Sequence, residues 1–258
     1  MSHIVSYIKR QQENTFKDVP FNEVDALVLA QFIYPKWEGV VPSVSDKRES
    51  VYLQDIVKEI DYNHVFSDER YRKDNLELVE AMVASKRYGR MRMNYFSDIT
   101  SVLAETQFSA MTVFLEEGPN VIIYRGTDET MIGWKEDFNM SFKEPVTGQR
   151  LSAMYLQQVS ELLEGNYIVL GHSKGGNFAV YASMNVEDRI QDRIEKVYSF
   201  DSPGFRPEIL ESVDFNKIKG RIVKFLPHSS IFGMLLQSKE DFQVVECFSI
   251  GVLQHNPY

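Results

Sequence analysis

Apolar residues along the chain follow one spacing before residue 90 and another after residue 105. In the first part they recur every three to four residues, which is the spacing of a buried helical face. Asn22 and Asp25 stand at the start of the first apolar run and are N-cap candidates. The pattern predicts a helical N-terminal part over residues 20–90, with helices at Val24–Phe32, Ser50–Ile60 and Ser67–Arg87.

After residue 105, short apolar runs separated by turn residues replace the helical spacing. The first two runs are joined by Glu117–Asn120, which contains Gly and Pro, and predict an antiparallel hairpin. Later runs alternate with helical segments, as in parallel sheets with right-handed crossovers. We expect an α/β fold with a mostly parallel central sheet, in one domain over residues 1–258. The predicted strands are Phe108–Leu115, Val121–Tyr124, Tyr167–Leu170, Glu195–Phe200, Arg221–Leu226 and Phe242–Ile250.

A short motif directly follows the strand predicted at Tyr167–Leu170. Gly171-His172-Ser173-Lys174-Gly175 matches G-x-S-x-G, and apolar residues at helical spacing come next. Strand, tight turn and helix form the context of a nucleophile elbow, in which a serine sits on a strained turn. Glycines without Cβ atoms let the strand and the helix approach each other closely. A coincidental turn is the alternative for so short a motif.

The ends of the other predicted strands also carry polar residues. Ligands gather at the carboxyl ends of parallel strands, and reading those ends in order gives Thr127, Ser173, Asp201, residues 228–230 and His255. The chain order is therefore serine, then acid, then histidine, as in α/β-hydrolases.

Each of these side chains has a predicted role in acyl transfer. Ser173 is the candidate nucleophile, His255 the base, and Asp201 the acid that orients the histidine. The backbone N–H groups of Thr127 and Lys174 are candidates for an oxyanion hole. Simpler roles stay open: a surface histidine for His255, a turn-capping carboxylate for Asp201 and an ordinary loop residue for Thr127. His172 is expected to be a packing residue of the elbow.

Composition and charge restrict the partners and the location. The net charge of −9 argues against nucleic acid, which needs a basic face. No apolar run approaches the roughly 20 residues of a membrane span, and the polar N-terminus is unlike a signal peptide. With Cys247 as its single cysteine, the chain has no internal disulfide. We expect a cytoplasmic protein with a small-molecule ester, thioester or lipid substrate, and we see no metal-ligand cluster and no cofactor motif.

Several of these segments resemble those of the class 3 lipases. That family has an F-R-G-[ST] strand end, a following W-x-x-D, a G-H-S-x-G-G elbow and an F-G-S-P-type strand end. The corresponding residues here are Val121–Thr127, Trp134 with Asp137, Gly171–Gly176 and Ser199–Gly204.

The chain is more closely similar to the bacterial Mbeg1-like proteins, formerly a domain of unknown function. The similarity extends over nearly the whole chain and implies an α/β-hydrolase fold with a hydrolase core over residues 105–258. It also implies a serine hydrolase, but no substrate. The similar segments are Phe21–Ile33, Gln107–Ala110, Arg125–Asp128, Gly133–Glu136, Gly171–Asn177 and Gln254-His255.

Three departures from the lipase pattern affect the predicted site. Class 3 lipases have glycine in place of Asp201 and take their acid from the loop after the next strand, where residues 228–230 offer no carboxylate. Pancreatic-type lipases place the acid where Asp201 stands, so we assign it to Asp201. Lys174 replaces the usual leucine, and we expect its side chain to reach solvent. Finally, Tyr258 ends the chain three residues after His255, which predicts a loosely held histidine.

These features predict a lipase-like serine hydrolase that cleaves a carboxylic ester or thioester through a Ser173 acyl-enzyme. Two alternatives remain open. One is a binding or scaffold protein with a hydrolase fold and no turnover, and the other is an acyltransferase. The helical part over residues 20–90 is a possible cap over the strand ends.

Overall fold

The computed structural model describes residues 3–46, 48–67, 71–127, 133, 135, 136, 139, 140, 145–247, 249 and 251–258, without the side chain of Val252. Several positions used above lie outside the described residues. They are residues 68–70 in the third predicted helix, Asp128, Trp134 and Asp137, and Phe248 and Ile250 in the last predicted strand.

Eight strands form one sheet in the order in which they occur along the chain, β1 to β8. Neighbours from β1 to β4 pair antiparallel, and neighbours from β4 to β8 pair parallel. The α/β-hydrolase type of fold, with a mostly parallel sheet and an antiparallel leading hairpin, is therefore confirmed. The strands are β1 Val51–Tyr52, β2 Arg92–Ser101, β3 Thr106–Phe114, β4 Asn120–Tyr124, β5 Tyr167–His172, β6 Ile194–Phe200, β7 Ile222–Pro227 and β8 Phe242–Val245.

The strand order determines which elements cover each face of the sheet. Each parallel strand lies beside the one before it, always on the same side, so right-handed crossovers place the connecting helices on one face. Those helices are α6 Thr147–Ser160, α7 Lys174–Met184, α8 Asp188–Gln191, α9 Pro207–Leu210 and α10 Val213–Ile218. Their buried residues pack with Ile122 and Val169 of the sheet in one core.

The N-terminal helices cover the opposite face. Buried residues of these helices pack with Val121, Ile123 and Leu170, which alternate along their strands with the residues of the other core. A parallel sheet needs both faces covered, so the N-terminal part supplies the layer that the crossovers cannot. Its action as a cap stays a prediction. The helices are α1 Ile4–Gln11, α2 Glu23–Phe32, α3 Leu53–Ile56, α4 Tyr62–Val65 and α5 Arg72–Ala84.

The start of α2 follows its sequence signal. Asn22 is the N-cap, and it forms a capping box with Asp25. The Asp25 carboxylate also pairs with the Arg87 guanidinium at 2.5 Å, and both side chains are fully buried. This pair fastens α2 to the segment that follows α5.

In this region one sequence prediction is wrong and one strand is missing from the predictions. The helix predicted at Ser50–Ile60 is instead the two-residue strand β1 followed by the short helix α3. The ten-residue strand β2 was not predicted, because a bulge between Asn94 and Ser97 shifts its register against β3. Tyr95, inside the bulge, has a φ of 56°. The irregularity interrupts the alternation of apolar and polar residues by which strands are recognised.

Candidate active site

Ser173 lies at the junction of β5 and α7, in the strained turn that the motif predicts. Its φ is 56° and its ψ is −133°, a conformation that non-glycine residues rarely adopt. Its backbone N–H donates to the Phe200 carbonyl of β6 at 2.8 Å. The neighbouring strand therefore holds the turn in place.

The two glycines of the motif sit where no Cβ atom fits. A Cβ on Gly171 would overlap the backbone of Gly175, and a Cβ on Gly175 would overlap the Tyr124 carbonyl at the end of β4. The obstacles are backbone atoms of a helix and of a strand, so they cannot swing aside. We expect Gly175→Ala to lower the melting temperature strongly, whereas Gly220→Ala, with nothing within 4 Å of the added carbon, leaves it nearly unchanged. Thermal unfolding of both variants measures the difference, and equal melting temperatures would contradict the packing described here.

Asp201 directly follows β6 and faces His255. Its Oδ2 lies 2.6 Å from His255 Nδ1, while its Oδ1 accepts hydrogen bonds from the Ser230 hydroxyl and, at 3.2 Å, from the Gly233 N–H. Burial raises the pKa of Asp201, but the hydrogen bond and charge of His255 and the hydrogen bond from Ser230 outweigh it. The net result is a lowered pKa, so the carboxylate stays ionised at neutral pH.

The loop after β7 supports the acid without supplying one. Residues 228–230 contain no carboxylate, and Ser230 instead donates to Asp201. Gly233 lies so close that an added Cβ would stand 2.8 Å from Asp201 Oδ1. Sequence reasoning did not find this supporting role, since neither residue belongs to a recognisable motif.

His255 is held firmly on both sides, in contrast to the loose attachment expected from its position in the sequence. It ends a short 3₁₀ turn, Gly251–His255. Gln254 accepts from the Ser229 N–H at 2.9 Å and donates to the Ser249 carbonyl at 2.6 Å. Beyond the histidine, the Tyr258 hydroxyl donates to Asn75 of α5 at 2.7 Å.

The His255 ring lies between two other rings. The ring centroid of Phe232 is 4.2 Å away, and that of His172 is 4.5 Å away. Nδ1 of His172 in turn lies 3.1 Å from the Tyr34 hydroxyl. Burial and the charge of His255 lower the pKa of His172 to about 3, so this second histidine is neutral at physiological pH.

The end of β4 passes directly beside Ser173. A Cβ added to Gly126 would stand 2.7 Å from the His172 carbonyl and 3.0 Å from Ser173 Cβ. Thr127, the next residue, is therefore close to the elbow. Lys174 begins α7, and the N–H groups in the first turn of a helix have no acceptor within the helix. Both predicted oxyanion donors thus flank the serine, although their role stays a prediction.

The side chain of Lys174 does not reach solvent, so that expectation is wrong. It is 1% exposed and pairs with the equally buried Glu136 at 3.0 Å. The Glu136 carboxylate also accepts from the Thr106 hydroxyl, at 2.5 Å, and from the N–H groups of Gln107 and Gly148. Removing two charges from water costs free energy, and this cost is offset only where both groups are fully hydrogen-bonded. Glu136 meets that condition, because its carboxylate accepts from four donors.

A sequence profile of the Mbeg1-like family matches residues 82–258, about two thirds of the chain. The chain belongs to the Mbeg1-like family. Among curated proteins, none matches it in sequence. None of the helices in the described part has the length and apolar character needed to span a bilayer. The described residues also contain no group of three or more His, Cys, Asp or Glu side chains that could hold a metal ion.

Solved structures of lipases are similar to this member of the Mbeg1-like family. The crystal structure of M37 lipase is 14% identical, with 82% of this chain and 69% of that chain covered and a TM-score of 0.48. A fungal lipase–inhibitor complex is 16% identical, with coverages of 72% and 76% and a TM-score of 0.38. The Rhizomucor miehei lipase propeptide complex is 13% identical, with coverages of 70% and 63% and a TM-score of 0.38.

Proposed function

We propose that this Mbeg1-like protein is a lipase-like serine hydrolase that cleaves a carboxylic ester or thioester through a Ser173 acyl-enzyme. The observation that carries the proposal is the 2.6 Å contact between Asp201 and His255 Nδ1, beside a serine with an elbow conformation. The His255 ring also stacks on His172, the residue before that serine, which an incidental turn or a surface histidine does not explain. A cytoplasmic location stays a prediction from charge and cysteine content.

The proposed reaction begins with removal of the Ser173 proton. Asp201 holds the proton of His255 on Nδ1, which leaves Nε2 to accept the proton of Ser173 Oγ as Oγ bonds to the substrate carbonyl carbon. The bond to the leaving oxygen or sulfur then breaks, and the imidazolium returns its proton to that atom. Water attacks the acyl-enzyme by the same route and releases the acid with Ser173 restored.

As Ser173 attacks, negative charge develops on the substrate carbonyl oxygen, and hydrogen-bond donors that are already in place must stabilise it. We assign this role to the N–H groups of Thr127 and Lys174, which belong to the loop and the helix beside the serine. Losing one such donor costs about 3 kcal/mol in comparable sites. The buried pair of Lys174 and Glu136 supports this assignment, because it ties the first residue of α7 to the segment after Thr127.

Turnover of p-nitrophenyl esters and thioesters of graded acyl length tests the proposal. We expect hydrolysis by the intact protein and loss of at least about 10³-fold in Ser173→Ala, because the nucleophile is removed. Ser183→Ala is the matched control. Ser183 is also buried and lies ten residues further along, in α7. Among the described residues, its hydroxyl bonds only to the Ala179 carbonyl, at 2.7 Å.

The two alternative functions give different results in the same assay. Turnover that requires an added alcohol or amine, with ester or amide as the product, would identify an acyltransferase. Folded protein that turns over no ester or thioester in the series would favour a binding protein and contradict the proposed function.

A further inference from the structure

His172, the residue before the proposed nucleophile, has polar partners that packing alone does not require. It is the last residue of β5 and is 5% exposed. The Tyr34 hydroxyl lies 3.1 Å from its Nδ1, and its ring stacks on His255 with centroids 4.5 Å apart.

These contacts indicate where the single proton of the neutral His172 ring lies. A neutral imidazole carries its proton on one ring nitrogen and accepts at the other. Nδ1 is the nitrogen that faces the Tyr34 hydroxyl. The arrangement is consistent if the ring proton lies on Nε2 and Nδ1 accepts from the Tyr34 hydroxyl.

The neutral state of His172 has a chemical consequence for its neighbour. His255 becomes an imidazolium during acyl transfer, and a second positive charge stacked on it would oppose that change. The ring of His172 stays neutral, because burial keeps its pKa far below that of an ordinary histidine. It can therefore touch the base throughout the reaction without repelling the charge that forms there.

We propose that His172 and Tyr34 form a positioning pair that fixes the ring of His255 for proton transfer from Ser173. This inference rests on the proposed function, and neither residue touches the reacting atoms in it. Tyr34 follows α2, so the N-terminal layer of the fold takes part in aligning the base. The Tyr34 hydroxyl also lies against Gly126, where an added Cβ would overlap it, so the same residue borders the loop that carries Thr127.

A series of substitutions separates hydrogen bonding from packing. Tyr34→Phe removes only the hydroxyl, and we expect acylation about 10-fold slower, the effect of one lost hydrogen bond. His172→Phe keeps a stacked ring without its donor and acceptor, and we expect a larger loss. His172→Gln keeps one donor and one acceptor and is expected to recover part of the rate. Because the two residues act through one contact, we expect the double variant Tyr34→Phe/His172→Phe to be hardly slower than His172→Phe alone.

The rate constant for inactivation by a fluorophosphonate is measured on the full chain across pH. It reports the nucleophilic reactivity of Ser173, on which acylation depends, and it requires no known substrate. Tyr167→Phe is the matched control, since it loses a hydrogen bond to the Ile190 carbonyl at 3.1 Å at the other end of β5. We expect the control to react at the rate of the unaltered protein and to have a similar melting temperature. The positioning role would be overturned if Tyr34→Phe reacted at the full rate, or if the Tyr167→Phe control were slowed as much as Tyr34→Phe. If His172→Phe does not fold, the inactivation rate of Tyr34→Phe alone tests the positioning role.

The proton NMR signal of the His255–Asp201 hydrogen bond gives a readout that does not depend on catalysis. We expect this far-downfield resonance to shift or broaden in folded Tyr34→Phe and to stay unchanged in Tyr167→Phe. Unaltered protein that does not react with the probe would contradict the proposed function. An unchanged resonance in Tyr34→Phe would contradict the positioning role alone.

Discussion

Asp201→Asn is expected to slow acylation of Ser173 by about 10⁴-fold while the protein stays folded. The amide oxygen can still accept from Ser230 and from the Gly233 N–H, the two donors now on Oδ1. The amide nitrogen then faces His255 Nδ1 and forces the ring proton onto Nε2. In that tautomer Nε2 cannot accept the serine proton, so the base is lost although every side chain is in place.

The rate of fluorophosphonate labelling, with far-UV circular dichroism to verify folding, measures the effect. Asp192→Asn is the matched control, because its side chain is 79% exposed and remote from His255. The control is expected to react like the unaltered protein. Asp201→Asn that keeps a rate within tenfold of the original would show that another group orients His255.

The second large effect is expected in the buried pair of Lys174 and Glu136. Lys174→Met leaves the Glu136 carboxylate buried without its cation, and breaking such a pair destabilises a protein by about 3–5 kcal/mol. Glu136→Gln leaves the ammonium buried instead. The double variant Lys174→Met/Glu136→Gln removes both charges, and we expect it to recover a substantial part of the loss.

Denaturant unfolding of the three variants gives the free energies of unfolding for this comparison. The neighbouring pair of Lys135 and Glu105 is the matched control, since its side chains are 59% and 41% exposed at a distance of 2.7 Å. Screening by water makes such surface pairs weak, so Lys135→Met is expected to have little effect. A double variant less stable than both single variants would contradict a role for charge compensation at this position.

The elbow and the strand ends could be predicted because the signals for each lie in consecutive residues. A strand, the motif from Gly171 to Gly175 and a helix follow one another directly, and Asp201 comes immediately after its strand. The contacts of these residues could not be predicted in the same way. Lys174 pairs with a residue 38 positions earlier, and Asp201 binds a serine 29 positions later. No local pattern records such distant partners.

The N-terminal helices illustrate a similar limit. Their apolar faces predict that they are buried, but only the strand order explains which face of the sheet they cover. Tyr34 contacts His172 from this layer, 138 positions away in sequence. A tyrosine between two short apolar segments gives no sign of such a contact, so its place beside the candidate site emerges only from the fold.

Mass spectrometry of the protein after reaction with a fluorophosphonate tests the proposed acyl-enzyme most directly. Attack by the serine Oγ expels fluoride and leaves a stable phosphonyl adduct, so the modified residue is identified by its peptide. We expect one adduct per chain, on Ser173, absent from Ser173→Ala and strongly reduced in His255→Ala. Folded protein that gains no adduct, or gains it at another residue, would contradict the assignment of Ser173 as the nucleophile.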